Sequence, residues 1–197
     1  MQTNTTEYNS SFTAGGLLYQ EFIALESIIN DIHFPDLIDK EEQENQFIAI
    51  KTLSARKRII PQIKLRVKTV HPNFWNEFYT WTEKEQKLGL FYVILKTYRL
   101  IFEIHWEVTL KKFKTGDLLE PYSIKMFIDE LSSKNEEIAN WSEKTIDKVN
   151  SRYRKALNDA GLMNNKRLII PQGIQENFWN YFKINNENWF LEACFMI

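Results

Sequence analysis

Four basic side chains recur at helical spacing late in the chain. Lys144, Lys148, Arg152 and Lys155 follow one another at steps of four, four and three, which places them within an arc of about 80° on an ideal α-helix. The opposite side of the same segment is apolar and comprises Ile146, Val149, Tyr153, Leu157 and Ala160. We therefore expect the apolar side to pack on a core and the basic side to face solvent, where it can neutralise several phosphates of a nucleic acid.

Other basic residues extend this pattern into two predicted contact surfaces. The C-terminal patch comprises Lys144, Lys148, Arg152, Arg154, Lys155, Lys166 and Arg167. The N-terminal patch comprises Lys57, Arg58, Lys64 and Lys68, from a stretch at 51–70 that has seven Lys or Arg and no acid. Within the first patch, Arg152 or Arg154 is able to reach base edges. A basic face can also be merely solvated, or can dock on an acidic protein surface.

A search for catalytic or metal-binding chemistry finds no motif. The histidines His33, His71 and His105 lie on three separate segments, and Cys194 has no nearby Cys or His, so zinc is not expected. Gly15 and Gly16 lack the Lys-Ser/Thr of a phosphate-binding loop. We predict a non-enzymatic protein with no cofactor and no metal site.

Composition and charge describe an ordinary soluble chain. The 197 residues have a formal net charge of −1, 44% hydrophobic residues and a single cysteine, so no intrachain disulfide is possible and a reducing, cytoplasmic location is expected. The longest charge-free run in the most apolar segment, 88–95, is much shorter than the roughly 20 residues that a membrane-spanning helix needs. We expect no membrane association.

The core is expected to form around one long helix at 83–114. Apolar residues recur there at steps of three and four and widen to cover most of the cylinder, while the charged residues fall on one narrow line. Arg99 and Glu103, and likewise Glu107 and Lys111, are four residues apart and can pair along that line. A buried functional use of Glu103 or Glu107 is the alternative to these ion pairs.

The remaining segments predict an all-α helical bundle in which two subdomains share one core. We expect a disordered tail at 1–10, a helical subdomain at 11–115 that includes the central helix, and a C-terminal subdomain at 116–197. Helices are expected at 14–32 and 40–51, and Pro61 is expected to kink or break the basic helix that follows. The order of two short helices, a longer basic helix and a strand-like hairpin is typical of a winged helix-turn-helix.

The chain resembles the BrxA family of BREX bacteriophage-defence systems over 11–182. The resemblance rests on SFTAGGLLYQE at 11–21, TLSARKR at 52–58, KTYRLIFEIHWEV at 96–108, SEKTIDKVNSRYRKALNDAGL at 142–162 and the IIP that follows. Two positions depart from the expected pattern, since Lys96 stands in place of arginine and Asp159 in place of glutamate. Both substitutions keep the sign of the charge, although Lys96 loses bidentate pairing.

The resemblance implies a small, all-helical, non-enzymatic subunit that binds double-stranded DNA and works with other BREX subunits in methylation or phage restriction. It supplies no catalytic residues. Two alternatives to DNA binding stay open at this point, namely a protein-interaction scaffold within the defence complex and an RNA-binding protein, because phosphate contacts alone do not separate RNA from DNA.

Overall fold

The computed structural model describes residues 8–196, and its regular structure is almost entirely helical. This confirms the all-α fold class. The only strands within the described residues are β1 (Met163–Asn164) and β2 (Arg167–Leu168), which pair as one antiparallel hairpin.

The N-terminal part begins with packed residues. Tyr8 is buried and donates its hydroxyl to the carboxylate of Glu103 at 2.6 Å. It lies within the predicted tail at 1–10, of which residues 1–7 are outside the described part. A 3-10 helix (Ser11–Ala14) is followed by α1 (Tyr19–Ala24) and α2 (Glu26–Ile29). These replace the single helix predicted at 14–32. Gly16 and Leu18 take positive φ angles of 65° and 58°, which an α-helix does not accommodate, so the helix begins only at Tyr19, and Leu25, with φ and ψ of −95° and 10°, separates α1 from α2.

Two helices follow, the second of them basic. They are α3 (Phe34–Glu44), which begins earlier than predicted, and α4 (Leu53–Thr69), capped by the Thr52 side chain at 3.2 Å from the Ala55 amide. The break predicted at Pro61 is absent, and α4 runs through that residue. Pro61 lies on the exposed side of α4, where water can satisfy the carbonyl that the missing N–H leaves free.

The predicted central helix is interrupted. After α5 (Pro72–Phe78), the chain forms α6 (Glu83–Thr97), α7 (Arg99–Ile104), one π-helical turn (His105–Thr109) and α8 (Leu110–Thr115). The break falls at Tyr98, whose φ and ψ of −116° and 104° are extended. Its hydroxyl donates to Gln62 at 2.9 Å and accepts from the buried Arg66 at 3.0 Å, so contacts with α4 hold Tyr98 out of the helix.

The C-terminal part comprises α9 (Pro121–Ser132), α10 (Glu136–Ala139), α11 (Glu143–Asp159), the hairpin, α12 (Glu176–Ile184) and α13 (Trp189–Ala193). An aromatic cluster joins it to the central helices: the Trp81 ring lies 5.5 Å from Phe74 and 4.8 Å from Phe178, measured between ring centroids. The Glu85 carboxylate accepts the Gln175 amide at 2.8 Å as well as the Thr82 amide at 2.9 Å, so it joins the start of α6 to the start of α12. Division into two subdomains stays a prediction.

Candidate nucleic-acid interface

Helix α11 is anchored at its N-terminus and along its buried side. The Ser142 hydroxyl caps the helix by accepting the Thr145 amide at 3.2 Å. On the inner side, Asn150 donates its side-chain amide to the Pro121 carbonyl at 2.7 Å, which fixes α11 against the first residue of α9. The predicted apolar side, from Ile146 to Ala160, is buried.

A buried polar network holds the middle of α11 against the π-helical turn. Nε2 of His105 lies 2.8 Å from the Ala193 carbonyl, and the Tyr153 hydroxyl lies 2.8 Å from Nδ1 of His105 and 2.7 Å from the Thr109 hydroxyl. A carbonyl only accepts, so Nε2 carries the proton, Tyr153 donates to Nδ1, and Thr109 donates to Tyr153. Burial lowers the pKa of His105 to about 4, which keeps the imidazole neutral.

The outer side of α11 carries unpaired cations. Lys144 and Lys148 are exposed and Arg152 is half-buried, and none of the three forms an ion pair with any acid in residues 8–196. The acid that begins the helix, Glu143, is engaged by Lys125 at 2.7 Å. The charges of Lys144, Lys148 and Arg152 are therefore left unpaired, and the same turns of α11 carry one exposed acid, Asp147, which also makes no ion pair with a described residue.

Two further residues of the C-terminal patch on α11 are less available. Lys155 pairs with Asp159 at 2.5 Å, one turn further along the helix. Arg154 is half-buried, and its Nε has no hydrogen-bond partner in the described part of the chain. The charge of Lys155 is therefore neutralised within the helix, whereas Arg154 has no ion-pair partner among the described residues but holds its Nε away from solvent.

The hairpin places the last two members of the C-terminal patch beyond the end of α11. Its two-residue loop, Asn165 and Lys166, has positive φ angles of 45° and 67°, as a tight hairpin turn requires. The Leu119 amide donates to the Lys166 carbonyl at 2.9 Å, and the Lys166 ammonium pairs with Glu120 at 2.9 Å. Arg167 is exposed on β2 and has no ion-pair partner among the residues described.

The N-terminal patch lies on α4. Lys57, Arg58 and Lys68 are exposed there, while Lys64 pairs with Asp39 of α3 at 2.5 Å. Two arginines from the same basic stretch are buried instead. Arg56 donates to the carbonyls of Glu42 and Ile50 at 2.6 and 2.8 Å, and so holds the loop that follows α3.

The structure does not bring the two patches together on one face. The buried Arg66 donates to the Leu17 carbonyl at 3.1 Å, and on an ideal helix Lys57 and Lys68 lie about 160–180° around α4 from it. The 3-10 helix packs against both α4 and α11. The α4 lysines therefore point away from the N-terminal segment that separates the two basic helices.

Sequence reasoning missed the structural role of Arg66. Its guanidinium is fully buried, donates to Tyr98 and lies 5.2 Å from the centre of that ring. One signal was available, because Arg66 falls on the helical side that Ile59 and Ile63 share, opposite Lys57. Its partners, at 17 and 98, are too far away in the sequence to be predicted.

Both ion pairs predicted for the central segment are present. Arg99 donates to Glu103 at 2.8 Å and Lys111 to Glu107 at 2.7 Å. Within residues 8–196 the structure contains no group of three or more His, Cys, Asp or Glu side chains placed to hold a metal ion. In the same range, no helix is both long and apolar enough to cross a bilayer.

Comparison with known proteins agrees with the resemblance seen in the sequence. The BrxA family model matches residues 6–186. A protein from Bacillus cereus (strain H3081.97) named BREX protein BrxA is 28% identical over 163 residues, which cover 81% of this chain and 80% of that protein. The crystal structure of an uncharacterized protein from Magnetospirillum magneticum has the same fold, with a TM-score of 0.78, 18% identity, and coverage of 96% of this chain and 98% of that one. With the family model covering nearly all of its length, the chain belongs to the BrxA family.

Proposed function

We propose that this protein is a non-enzymatic, DNA-binding accessory subunit of a BREX phage-defence system. Membership of the BrxA family supports the accessory role in BREX defence. The DNA-binding part of the proposal depends on one observation, the unpaired cations Lys144, Lys148 and Arg152 on the solvent side of a helix whose other side is locked into the core. The cytoplasm, where host and phage DNA meet, is the compartment that this proposal requires.

The arrangement around α11 supports a winged helix-turn-helix mode of binding. Helices α9 and α10 precede α11 and pack as neighbours, and the hairpin follows it directly. In that mode α11 enters the major groove and the hairpin contacts the backbone alongside. Arg152 reaches towards base edges while Lys144, Lys148 and Arg167 contact phosphates, so we expect weak sequence specificity and a steep dependence on salt.

The α4 cations are proposed to make a separate contact. Lys57, Arg58 and Lys68 carry unpaired charge on α4. Lys57 and Lys68 point away from the N-terminal segment, and Arg58 lies to one side of them, about 80° around the helix from the buried Arg66. A duplex that lies along α11 alone does not reach them without bending or extending around the protein. We propose that they hold a second stretch of a long duplex, with Lys64 contributing less because Asp39 neutralises it.

One observation favours a second function as a protein-interaction subunit. On α9, Tyr122 and Met126 are one turn apart and are 68% and 53% exposed, with Leu118 also exposed just before the helix. Exposed apolar residues that cluster are typical of protein contact sites. Other BREX subunits are the partners that this role would require.

A fluorescence-polarisation titration of the full chain with matched duplex DNA and duplex RNA, at several salt concentrations, tests the proposal. We expect DNA binding whose affinity falls linearly on a logarithmic salt scale, with a slope of about −3 for some three or four neutralised phosphates. Absence of DNA binding at about 150 mM salt contradicts it and leaves the scaffold role. Tighter binding to RNA than to DNA would favour the RNA-binding alternative.

A further inference from the structure

A groove lies beside the C-terminal end of α11, on a part of the surface that the proposed DNA contacts do not use. Its volume is about 730 Å³, within the range of pockets that hold small organic ligands. Three pieces of chain wall it: the last turn of α11, the start of α6, and the segment 169–174 that leaves the hairpin.

The walls of the groove are mostly apolar. Ile169, Pro171 and Ile174 line one side and Ala160 the other, while Asn158 and Gln172 place amides at the opening. Two left-handed glycines, Gly161 and Gly173, both with φ of 74°, turn the chain at its edges. Such a surface favours an apolar body of a few carbon atoms over a strongly hydrated ligand.

One of the lysines that line the groove has no ion-pair partner among the described residues. Lys87 pairs with Glu83 at 2.5 Å, and Asp159 pairs with Lys155 at 2.5 Å. Lys84, which also lines the groove, makes no ion pair with any described residue. Its Nζ lies beside Gly173, 3.4 Å from where a side chain at that position would begin, so the ammonium lies at the edge of the groove.

We propose that this groove is a binding site for a small organic anion, a molecule with an apolar body and a single carboxylate-like group. The carboxylate pairs with Lys84. Asn158 and Gln172 line the same groove, and the Gln172 amide, which gives one N–H to the Ile170 carbonyl at 3.1 Å, keeps a second N–H for the ligand. The apolar body packs on Ile169, Pro171 and Ile174. This site is independent of the proposed DNA binding, since Lys144, Lys148 and Arg152 take no part in it.

The test is a titration of the full chain with sodium octanoate, followed by two-dimensional ¹H–¹⁵N NMR, in which glycine amides are well separated. We expect saturable shifts of the Gly161 and Gly173 signals and none at Gly116, which lies outside the groove. Octanamide, which is neutral and of the same length, should bind roughly tenfold more weakly, as the loss of one charged hydrogen bond implies.

Variants that change the charge of a side chain but nearly keep its size distinguish a specific binding site from non-specific adhesion. Lys84→Met keeps the aliphatic stem without the charge, and Gln172→Glu adds a repelling carboxylate at an exposed position; each should weaken octanoate binding by roughly tenfold. Lys183→Met, on the exposed surface of α12 and outside the groove, should bind as the unmodified protein does. Shifts that do not saturate, or that persist unchanged in Lys84→Met, overturn the proposal. If duplex DNA rather than octanoate moves the Gly161 and Gly173 signals, the groove belongs to the nucleic-acid surface and the proposal is wrong.

Discussion

The Tyr153 hydroxyl donates a hydrogen bond of 2.8 Å to Nδ1 of His105, and this contact joins the DNA-facing helix proposed above to the π-helical turn of the core. Both residues are completely shielded from solvent. The buried contacts of the Tyr153 side chain thus fix the rotation of α11 about its axis. They also fix the direction in which Lys148 and Arg152 point.

Replacement of Tyr153 by phenylalanine should destabilise the protein although the ring is kept. The variant leaves Nδ1 of His105 without a donor and the Thr109 hydroxyl without an acceptor, and buried groups left unsatisfied cost about 1–3 kcal/mol. Urea unfolding followed by circular dichroism measures the loss. The matched control is Tyr122→Phe, at an exposed position on α9, which should change the free energy of unfolding by less than about 0.5 kcal/mol. Equal effects of the two changes would contradict the role assigned to the network.

Acid should weaken the protein through His105. Its pKa of about 4 in the folded state lies below the ordinary value of 6.5, so the unfolded chain takes up the proton first as the pH falls. The stabilisation is complete above about pH 6.5 and is lost progressively down to about pH 4, by about 3 kcal/mol in total. Urea unfolding at a series of pH values checks this. In His105→Gln the corresponding part of the pH dependence should vanish, and an unchanged profile would remove His105 as its source.

Charge reversal on the outer side of α11 should strongly weaken DNA binding without unfolding the protein. In Lys148→Glu/Arg152→Glu, two attractive contacts become repulsive, so we expect affinity to fall by more than about tenfold and the salt slope to drop by about 2. Fluorescence polarisation measures the affinity, and circular dichroism should show the helical signal intact because both side chains lie outside the core. Unchanged DNA affinity would exclude the C-terminal patch.

Charge reversal on α4 should depend on the length of the DNA. Lys57→Glu/Lys68→Glu alters a face directed away from the N-terminal segment, so binding of a duplex of about 12 base pairs should change by less than about twofold, and binding of one of about 40 base pairs should weaken clearly. The same polarisation assay with the two duplexes makes the comparison. Loss of binding to the short duplex would show that both patches contact one site.

Gly89→Ala should destabilise the protein, against the usual helix preference. Alanine is favoured over glycine by about 1 kcal/mol inside a helix, but its Cβ would lie 2.8 Å from Cζ3 of Trp81. Overpacking of this kind costs about 1–3 kcal/mol. Thermal unfolding of the variant tests the sign of the change in stability. In a protein that already carries Trp81→Leu, adding Gly89→Ala should cause no further loss of stability. A more stable Gly89→Ala protein would show that the Trp81 ring moves aside freely.

The sequence was most informative where signals of different kinds agreed. For α11, the sequence has a serine at 142 that can cap a helix, an apolar stripe along the segment and a glycine at 161 that can end it, and the structure has the helix at Glu143–Asp159 with Gly161 at a φ of 74°. For 83–114, apolar residues on nearly all sides gave no signal at which a break could be placed. At the interruption, Tyr98 donates a hydrogen bond to Gln62 and accepts one from Arg66, both on another helix, and the local sequence pattern contains no sign of these contacts.

The candidate site was predictable in its position but not in its charge balance. The pairing of Lys155 with Asp159 is four residues apart and was visible in the sequence. Lys64 and Lys166 find Asp39 and Glu120, 25 and 46 residues away, and only the fold brings such residues together. How many cations remain free is therefore a property of tertiary structure rather than of composition.

The amide of Leu119, bonded to the carbonyl of Lys166, ties the tip of the hairpin to the connector that runs from α8 into α9. The connector between Gly116 and Pro121 therefore helps to position the hairpin, together with the Ile169 amide, which donates to the Leu162 carbonyl at 3.0 Å beyond the end of α11. Insertion or deletion of one residue in the connector would change the position of Arg167 relative to α11 although every basic residue was kept. Affinity for a polyanion could therefore change during evolution without any substitution of a cation.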